Sequence, residues 1–377
     1  MKIKIIIHSV LPFYLYRCFF PKFTLFIYRM SFQIKLLDWF KENRRPFPWR
    51  NKPEPYNVWL SEIILQQTRA AQGLPYYESF ISNFPTIEKL AWAKEDEIMR
   101  LWEGLGYYSR ARNLHATAKI ITNQYGGKFP KNFNHIKSLK GIGDYTASAI
   151  VSICFDQEQA VVDGNVYRVL SRIFGIDKPI DASGSHKIFK KKAQQLIKGT
   201  PPGDFNQAMM EFGALQCIPK NPNCQDCIFK KDCLAFQIGK VDIFPIKVRK
   251  VKVKNRFLHF FVMIDSSKNT LLQKRKEKGI WQNLYQFPLI ETFDKQKKIK
   301  KNQIDSLLAE YQITSDFTME KWNDRPIFQK LTHQHLEINF WILKLKDSVN
   351  LSTQINKIQD YPMPKVLQNF RDNFFIN

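Results

Sequence analysis

Leu139-Lys140-Gly141-Ile142-Gly143-Asp144-Tyr145-Thr146-Ala147 decides how the chain is read. Its two glycines punctuate a turn between two stretches of helical periodicity. Glycine lets a backbone come close to a phosphate. The helix that follows such a turn offers free N–H groups and the positive end of its dipole. Gly141 and Gly143 are therefore candidate phosphate-contacting positions, although an ordinary interhelical turn would also use glycine. Such contacts would position a protein on a polyanion without reading its sequence.

Outward from this turn, residues 31–235 read as mostly helical, with periodicity over 58–72, 76–84, 109–124, 145–155, 165–174 and 205–216. Tyr125-Gly126-Gly127 and Pro201-Pro202-Gly203 separate some of these stretches. The chain carries 58 Lys and Arg against 34 Asp and Glu, a formal charge of +24, which favours nucleic acid or an acidic membrane surface as partner. The apolar run Ile5–Val10 is too short to span a bilayer, and no small-residue cleavage site follows it convincingly. Residues 1–29 are expected to be a non-native upstream extension or a disordered segment, with Met30 as the true start.

Four of the six cysteines, Cys217, Cys224, Cys227 and Cys233, have the spacing C-x6-C-x2-C-x5-C. Crowding of this kind indicates a metal or cluster site in a reducing compartment rather than a disulfide framework. Four thiolates select zinc or an iron–sulfur cluster, and spacing alone does not choose between them.

Two carboxylates stand out. Glu62, in Val58-Trp59-Leu60-Ser61-Glu62-Ile63-Ile64-Leu65-Gln66-Gln67-Thr68, shares a helical face with Val58, Trp59, Leu65 and Gln66. Desolvation there would raise its pKa and suit it to general-acid work; a structural Glu bonded to backbone or to an arginine is the alternative. Asp163 precedes a helical run in Val162-Asp163-Gly164-Asn165-Val166, where an N-cap is the ordinary role.

These strings together resemble the endonuclease III/MutY superfamily of DNA glycosylases. L-x-G-I-G-x-x-T-A looks like its helix-hairpin-helix motif, the cysteine spacing resembles its 4Fe–4S site, and W-L-S-E-x-x-L-Q-Q-T is similar to the MutY signature. The resemblance implies that Glu62 protonates the N7 of an extruded adenine while Asp163 faces the sugar and stabilises an oxocarbenium-like centre. Tyr145 and Asn165 would orient Asp163 or the intermediate. Tyr145 stands where endonuclease III-like enzymes carry the Schiff-base lysine, which implies a monofunctional glycosylase. Gln67 and Tyr107 would fill the gap left by the flipped base, beside Thr68, with Leu105 supporting them near the opposite base. The alternative for Leu105 and Tyr107 is that they are core residues of a helix entry. Pro48-Trp49-Arg50 matches a segment that brings Arg50 near the adenine pocket, and Lys220, with Asn221 and Pro222, would offer phosphate contacts.

Val241–Arg256 alternates Lys and Arg with Val and Ile and reads as an extended linker. Beyond it, candidate strands at Phe257–Ile264, Thr270–Gln273, Gln329–Thr332 and Ile338–Leu343, with helical stretches near 301–312 and 362–375, predict an α+β domain. Ile280-Trp281-Gln282-Asn283-Leu284-Tyr285-Gln286-Phe287-Pro288 looks like a segment of the MutY nudix-like domain. No R-E-x-x-E-E run follows, so nucleotide hydrolysis is not expected. Leu331-Thr332-His333 matches the family's Phe-Ser-His loop, with Leu331 replacing the aromatic residue; Thr332 and His333 are the expected 8-oxoguanine readers, and His333 and His335 could instead be solvent-facing.

The sequence thus predicts an all-α helix-hairpin-helix glycosylase domain with a 4Fe–4S cluster (30–240), a basic linker (241–256) and an α+β nudix-like domain (257–377). The expected protein is a cytoplasmic, nucleoid-associated monomer acting on double-stranded DNA with A:8-oxoguanine or A:G mispairs, and not a membrane protein. Competing readings are an endonuclease III-like lyase, opposed by Glu62 and Tyr145, and a non-catalytic iron–sulfur DNA-binding protein, opposed by the paired carboxylates.

Overall fold

The computed structural model describes residues 21–248, 253–292, 299–349 and 351–376, with residues 21–30 described by backbone only. Most of the segment expected as an upstream extension, and residues 249–252 of the expected linker, lie outside the described residues. Residues 21–29 are the first turns of a helix, Pro21–Asn43. By its contacts the chain divides into two compact units: Met1–Glu62, Pro130–Ser138 and Ile142–Arg249; and Ile63–Phe129, Leu139–Gly141 and Lys250–Asn377. No helix among the described residues is long and apolar enough to cross a membrane.

The first unit is built around helix Pro202–Leu215, which starts on a proline whose missing N–H costs nothing in a first turn. Its Phe205, Ala208, Met209 and Phe212 meet Val166, Val169 and Leu170 of helix Gly164–Phe174, and Phe32, Leu36 and Phe40 of the first helix, in one buried cluster. Phe229 stacks on Phe32 at 4.7 Å, which ties the cysteine-bearing loop to that core. The glycine turn takes the form its sequence requires. Gly141 has φ +78°, and Gly143 caps helix Asp144–Phe155 in extended geometry. Asp163 caps helix Gly164–Phe174, its carboxylate accepting from the Val166 N–H at 2.7 Å.

In the second unit, helix Ser109–Tyr125 ends on left-handed Gly126. The expected single helix over 58–72 is corrected: Pro55–Leu65 ends, Gln67 turns left-handed at φ 59°, and Ala70–Asn83 begins afresh. The apolar periodicity continues across the break, but the carbonyls of Ile63, Ile64 and Gln66 bond the Arg110 guanidinium.

Among the described residues the C-terminal sheet has seven strands. Lys254–Ile264 runs parallel to Gln334–Leu345, in register from Lys254 opposite Gln334 to Ile264 opposite Lys344, and the remaining pairs are antiparallel. Leu258–Met263 is buried without alternation, because both faces are covered. On one face Phe261, Met263 and Leu343 pack under Leu307 and Leu308 of helix Lys301–Glu310. On the other, Phe370 of helix Lys365–Arg371 stacks 4.0 Å from Phe340, which stacks on Phe260. The expected strand Thr270–Gln273 is two short ones, Asn269–Thr270 and Gln273–Lys274. The strand expected at 329–332 is Ile327–Lys330. The helix expected over 362–375 is Lys365–Arg371 followed by a π turn, Asp372–Ile376.

Gly213 shows how tightly the first unit closes. A Cβ there would stand 2.6 Å from the Asn165 Cβ. Gly213→Ala should therefore destabilise the protein by about 1–3 kcal/mol, read from the urea midpoint.

Candidate active site

The C-terminal half of one helix brings Glu62 into the first unit, where it is 9% exposed. Burial lifts its carboxyl to about 7; the nearby Asp163 pushes in the same direction, while the Tyr145 hydroxyl and the Arg50 cation pull it down. Asp163 is raised by burial too, but the N–H of Val166, the Asn165 amide and Arg168 oppose the shift. Glu62 thus feels the charge of Asp163, and the surroundings differ: Asp163 is caged by donors, while Glu62 has the tyrosine. Tyr145, from the first turn of the helix after the glycine hairpin, is held well above an ordinary phenol by burial and both carboxyls, and so stays neutral. Its hydroxyl also lies 3.4 Å from Met210 Sδ. The sequence-expected set Glu62, Asp163, Tyr145, Asn165 and Arg50 is brought together.

Arg50 is set by a residue the sequence did not single out. Glu211, 2% exposed, accepts from Arg50 Nη2 at 3.0 Å and from Arg45 Nε at 2.8 Å. Burial alone would raise this carboxyl; the two arginines hold it down at about 2. Phe47 lies beneath both guanidinium groups, at 5.1 Å from Arg50 and 4.9 Å from Arg45.

Asn165 donates to Asp163 Oδ2 at 2.8 Å and accepts from Arg168 Nη2 at 2.8 Å. Arg168 Nε then donates to the Cys217 carbonyl at 2.6 Å. One turn on, Arg172 reaches Cys217 Sγ at 3.5 Å and the carbonyls of Ile218 and Pro219 at 2.7 and 3.0 Å. A continuous polar path therefore joins Asp163 to the first cysteine. The sequence analysis did not single out Arg168 or Arg172; packing shows them buried.

Cys217, Cys224, Cys227 and Cys233 line a single cavity with Arg172, Phe212 and Pro222. Burial pushes the Cys227 thiol to about 12, and the other three cysteines add to the shift. Four such sulfurs, with N–H donors from Arg172 and Phe229 aimed at two of them, fit a positively charged metal centre. Among the described residues, no group of three or more His, Cys, Asp or Glu is placed to hold a single metal ion. Lys220 is exposed in the loop between the first two cysteines.

The second unit contains a cleft of about 500 Å³ lined by Leu105, Tyr107, Arg112, Trp281, Thr332 and His333 among others. The Tyr107 hydroxyl and Thr332 Oγ1 lie 2.5 Å apart, so residues more than two hundred positions apart meet. Leu105 is buried, while Tyr107, Thr332 and His333 are exposed. Gln67 is exposed and Thr68 half-buried at the helix break.

A buried carboxyl pair behind a glycine hairpin, on a helical scaffold, defines a class. Residues 60–196 match the HhH-GPD superfamily of base excision DNA repair proteins, and residues 259–373 match the NUDIX domain. A thermostable thymine-DNA glycosylase structure covers 56% of this chain and 97% of its own at 32% identity, with TM-score 0.52. An adenine DNA glycosylase of Buchnera aphidicola subsp. Acyrthosiphon pisum is 34% identical over 90% of this chain and 97% of its own length. The human adenine DNA glycosylase is 41% identical over 55% of this chain and 40% of its own length. The chain belongs to the family of MutY-type adenine DNA glycosylases, and it is a DNA N-glycosylase.

The electrostatics of Glu62 are open to direct measurement. Difference infrared spectra of wild type against Glu62→Gln should show a protonated carboxyl lost with a midpoint near 7. Asp163→Asn should lower that midpoint, since it removes a like charge.

Proposed function

We propose that the enzyme excises adenine standing opposite 8-oxoguanine or guanine in duplex DNA, hydrolysing the N-glycosidic bond without cutting the strand. The observation that carries this is the buried pair: Glu62 lifted to about 7 beside Asp163, with a neutral tyrosine where a lyase would need an amine. Below pH 7 Glu62 holds a proton that it can give to adenine N7, making the base a competent leaving group. As the bond to C1′ breaks, positive charge grows on the sugar. Asp163, held by Asn165 and the Val166 N–H, stabilises that charge. The deprotonated Glu62 then activates the water that completes hydrolysis. Arg50, fixed by Glu211, borders the pocket.

The chain's charge of +24 suits it to DNA phosphate, with Gly141, Gly143 and Lys220 as contact points. Gln67 and Tyr107 fill the stack when adenine leaves, with Thr68 beside Gln67 and Leu105 beneath them. The cleft bearing Thr332 and His333 reads the opposite base. The Thr332 hydroxyl can accept from N7–H, which 8-oxoguanine has and guanine lacks. Cys217, Cys224, Cys227 and Cys233 would hold a 4Fe–4S cluster, whose contribution is to order the loop that carries Lys220. Broad visible absorption, lost on chelation, separates this cluster from zinc.

Two outcomes test the chemistry. Glu62→Gln should retain mispair binding in gel shift and lose adenine release, and wild-type single-turnover rates should fall as pH rises through about 7, because the acid form disappears there. Tyr145→Lys should gain a borohydride-trapped DNA adduct; no adduct would remove Tyr145 from the sugar.

A further inference from the structure

Gln67 and Tyr107 share a backbone state that side-chain-bearing residues avoid, with φ of 59° and 47°. Such a state is strained and persists only where the surroundings enforce it. Gln67 is exposed, and Tyr107, exposed as well, is tied through its hydroxyl to Thr332 and by its ring to the Arg110 guanidinium 5.9 Å away, so burial of these two side chains does not supply that enforcement.

One buried guanidinium does. Arg110 Nη1 donates to the carbonyls of Ile63, Ile64 and Gln66 at 2.8, 2.9 and 2.7 Å. Its Nη2 donates to the carbonyls of Leu105 and Gly106, both at 3.2 Å. The first three belong to the end of the Glu62-bearing helix and the residue before Gln67; the last two immediately precede Tyr107. The Gly106 carbonyl also accepts from Trp102 Nε1 at 3.1 Å, and the guanidinium lies 5.0 Å from the Trp102 ring. A helix leaves its last carbonyls without partners and places negative dipole there, so a cation at this point both satisfies and stabilises them. Burial lowers the pKa of Arg110 to about 10, which leaves it charged at neutral pH. Among the described residues no acidic side chain bonds it; its counter-charge is backbone dipole.

We propose that Arg110 is the positioning residue that fixes the separation of Gln67 and Tyr107, so that both enter the opened DNA stack in one step. This rests on the adenine-excision reading above. Arginine is required because its planar fork carries donors to two segments at once, whereas the lysine ammonium is a compact point charge. Arg110 acts through the two residues it holds and takes no part in protonation or sugar stabilisation.

The test compares single-turnover adenine release from two duplexes. One is paired everywhere except at A:8-oxoguanine; in the other, the pairs flanking the adenine are also mismatched, so the stack is already open. Arg110→Met and Arg110→Lys should slow release from the closed duplex by about 100-fold. The loss on the opened duplex should be about tenfold smaller, because opening no longer limits the rate. Fluorescence from 2-aminopurine beside the adenine, which rises on flipping, should stay low with both variants on the closed duplex. Should Arg110→Met fail to fold, as judged by circular dichroism, Arg110→Lys carries the comparison with its charge kept. Equal losses on both duplexes, or no loss on either, overturn the role of Arg110. A wild-type enzyme that releases adenine from neither duplex refutes the excision reading and this inference with it.

Discussion

A carboxyl group withdrawn from water governs this structure. Glu62 is lifted to about 7 chiefly because its surroundings do not solvate the charged form, and the Asp163 carboxyl beside it adds to the effect. Everything that keeps water out, from Trp59 and Leu60 on the same helix to the packed faces of neighbouring helices, bears on that value. The glycine hairpin contributes by starting a helix whose first turn places Tyr145 against both carboxyls. The environments are unequal in a way that allows a division of labour: Asp163 collects hydrogen-bond donors, Glu62 collects burial.

Buried arginines organise the irregular backbone around these groups. Arg168 bridges Asn165 and the carbonyls of Gly213 and Cys217, Arg172 holds carbonyls within the cysteine loop and after it, and Arg110 gathers five carbonyls from the helix break and from the turn before Tyr107. Each is a cation taken out of water and compensated mainly by backbone dipoles. Substituting any of them removes several hydrogen bonds at once and leaves those carbonyls unpaired. Glu211 inverts the scheme, an anion compensated by two arginines, and it fixes Arg50 where the field of that cation reaches Glu62. In the C-terminal sheet the constraint is apolar. Strand Lys254–Ile264 is covered on both faces, and the Phe260, Phe340 and Phe370 rings stack through one side of it.

Much of this was legible along the chain, because it depends on local spacing. Gly141 and Gly143 announced a turn before a helix, Asp163 announced a cap, and four cysteines within one short segment pointed to thiols gathered in one place, as they are around one cavity; each needs only neighbours in sequence. The face shared by Glu62, Val58 and Trp59 follows from helical periodicity, and so does its desolvation. The strand Phe317–Lys321 went unread because its residues are largely exposed and lack an apolar alternation. In helix Ser185–Ile197 the apolar stripe of Phe189, Ala193 and Leu196 is buried, but interleaved lysines mask its periodicity in the sequence.

What the sequence determined by itself was the chemistry available: which residues could donate a proton, balance a cation, bind sulfur-loving metals or approach phosphate. What only the tertiary structure decided was which of them share an environment. Glu62 and Asp163 are about a hundred residues apart, and nothing local makes one sense the other's charge. Tyr107 and Thr332 meet across a still longer span, and Arg110 ends a helix that periodicity would have continued. Side-chain identity sets intrinsic pKa and donor inventory residue by residue. Burial and long-range contact set the shifts, and those exist only once the chain has closed on itself.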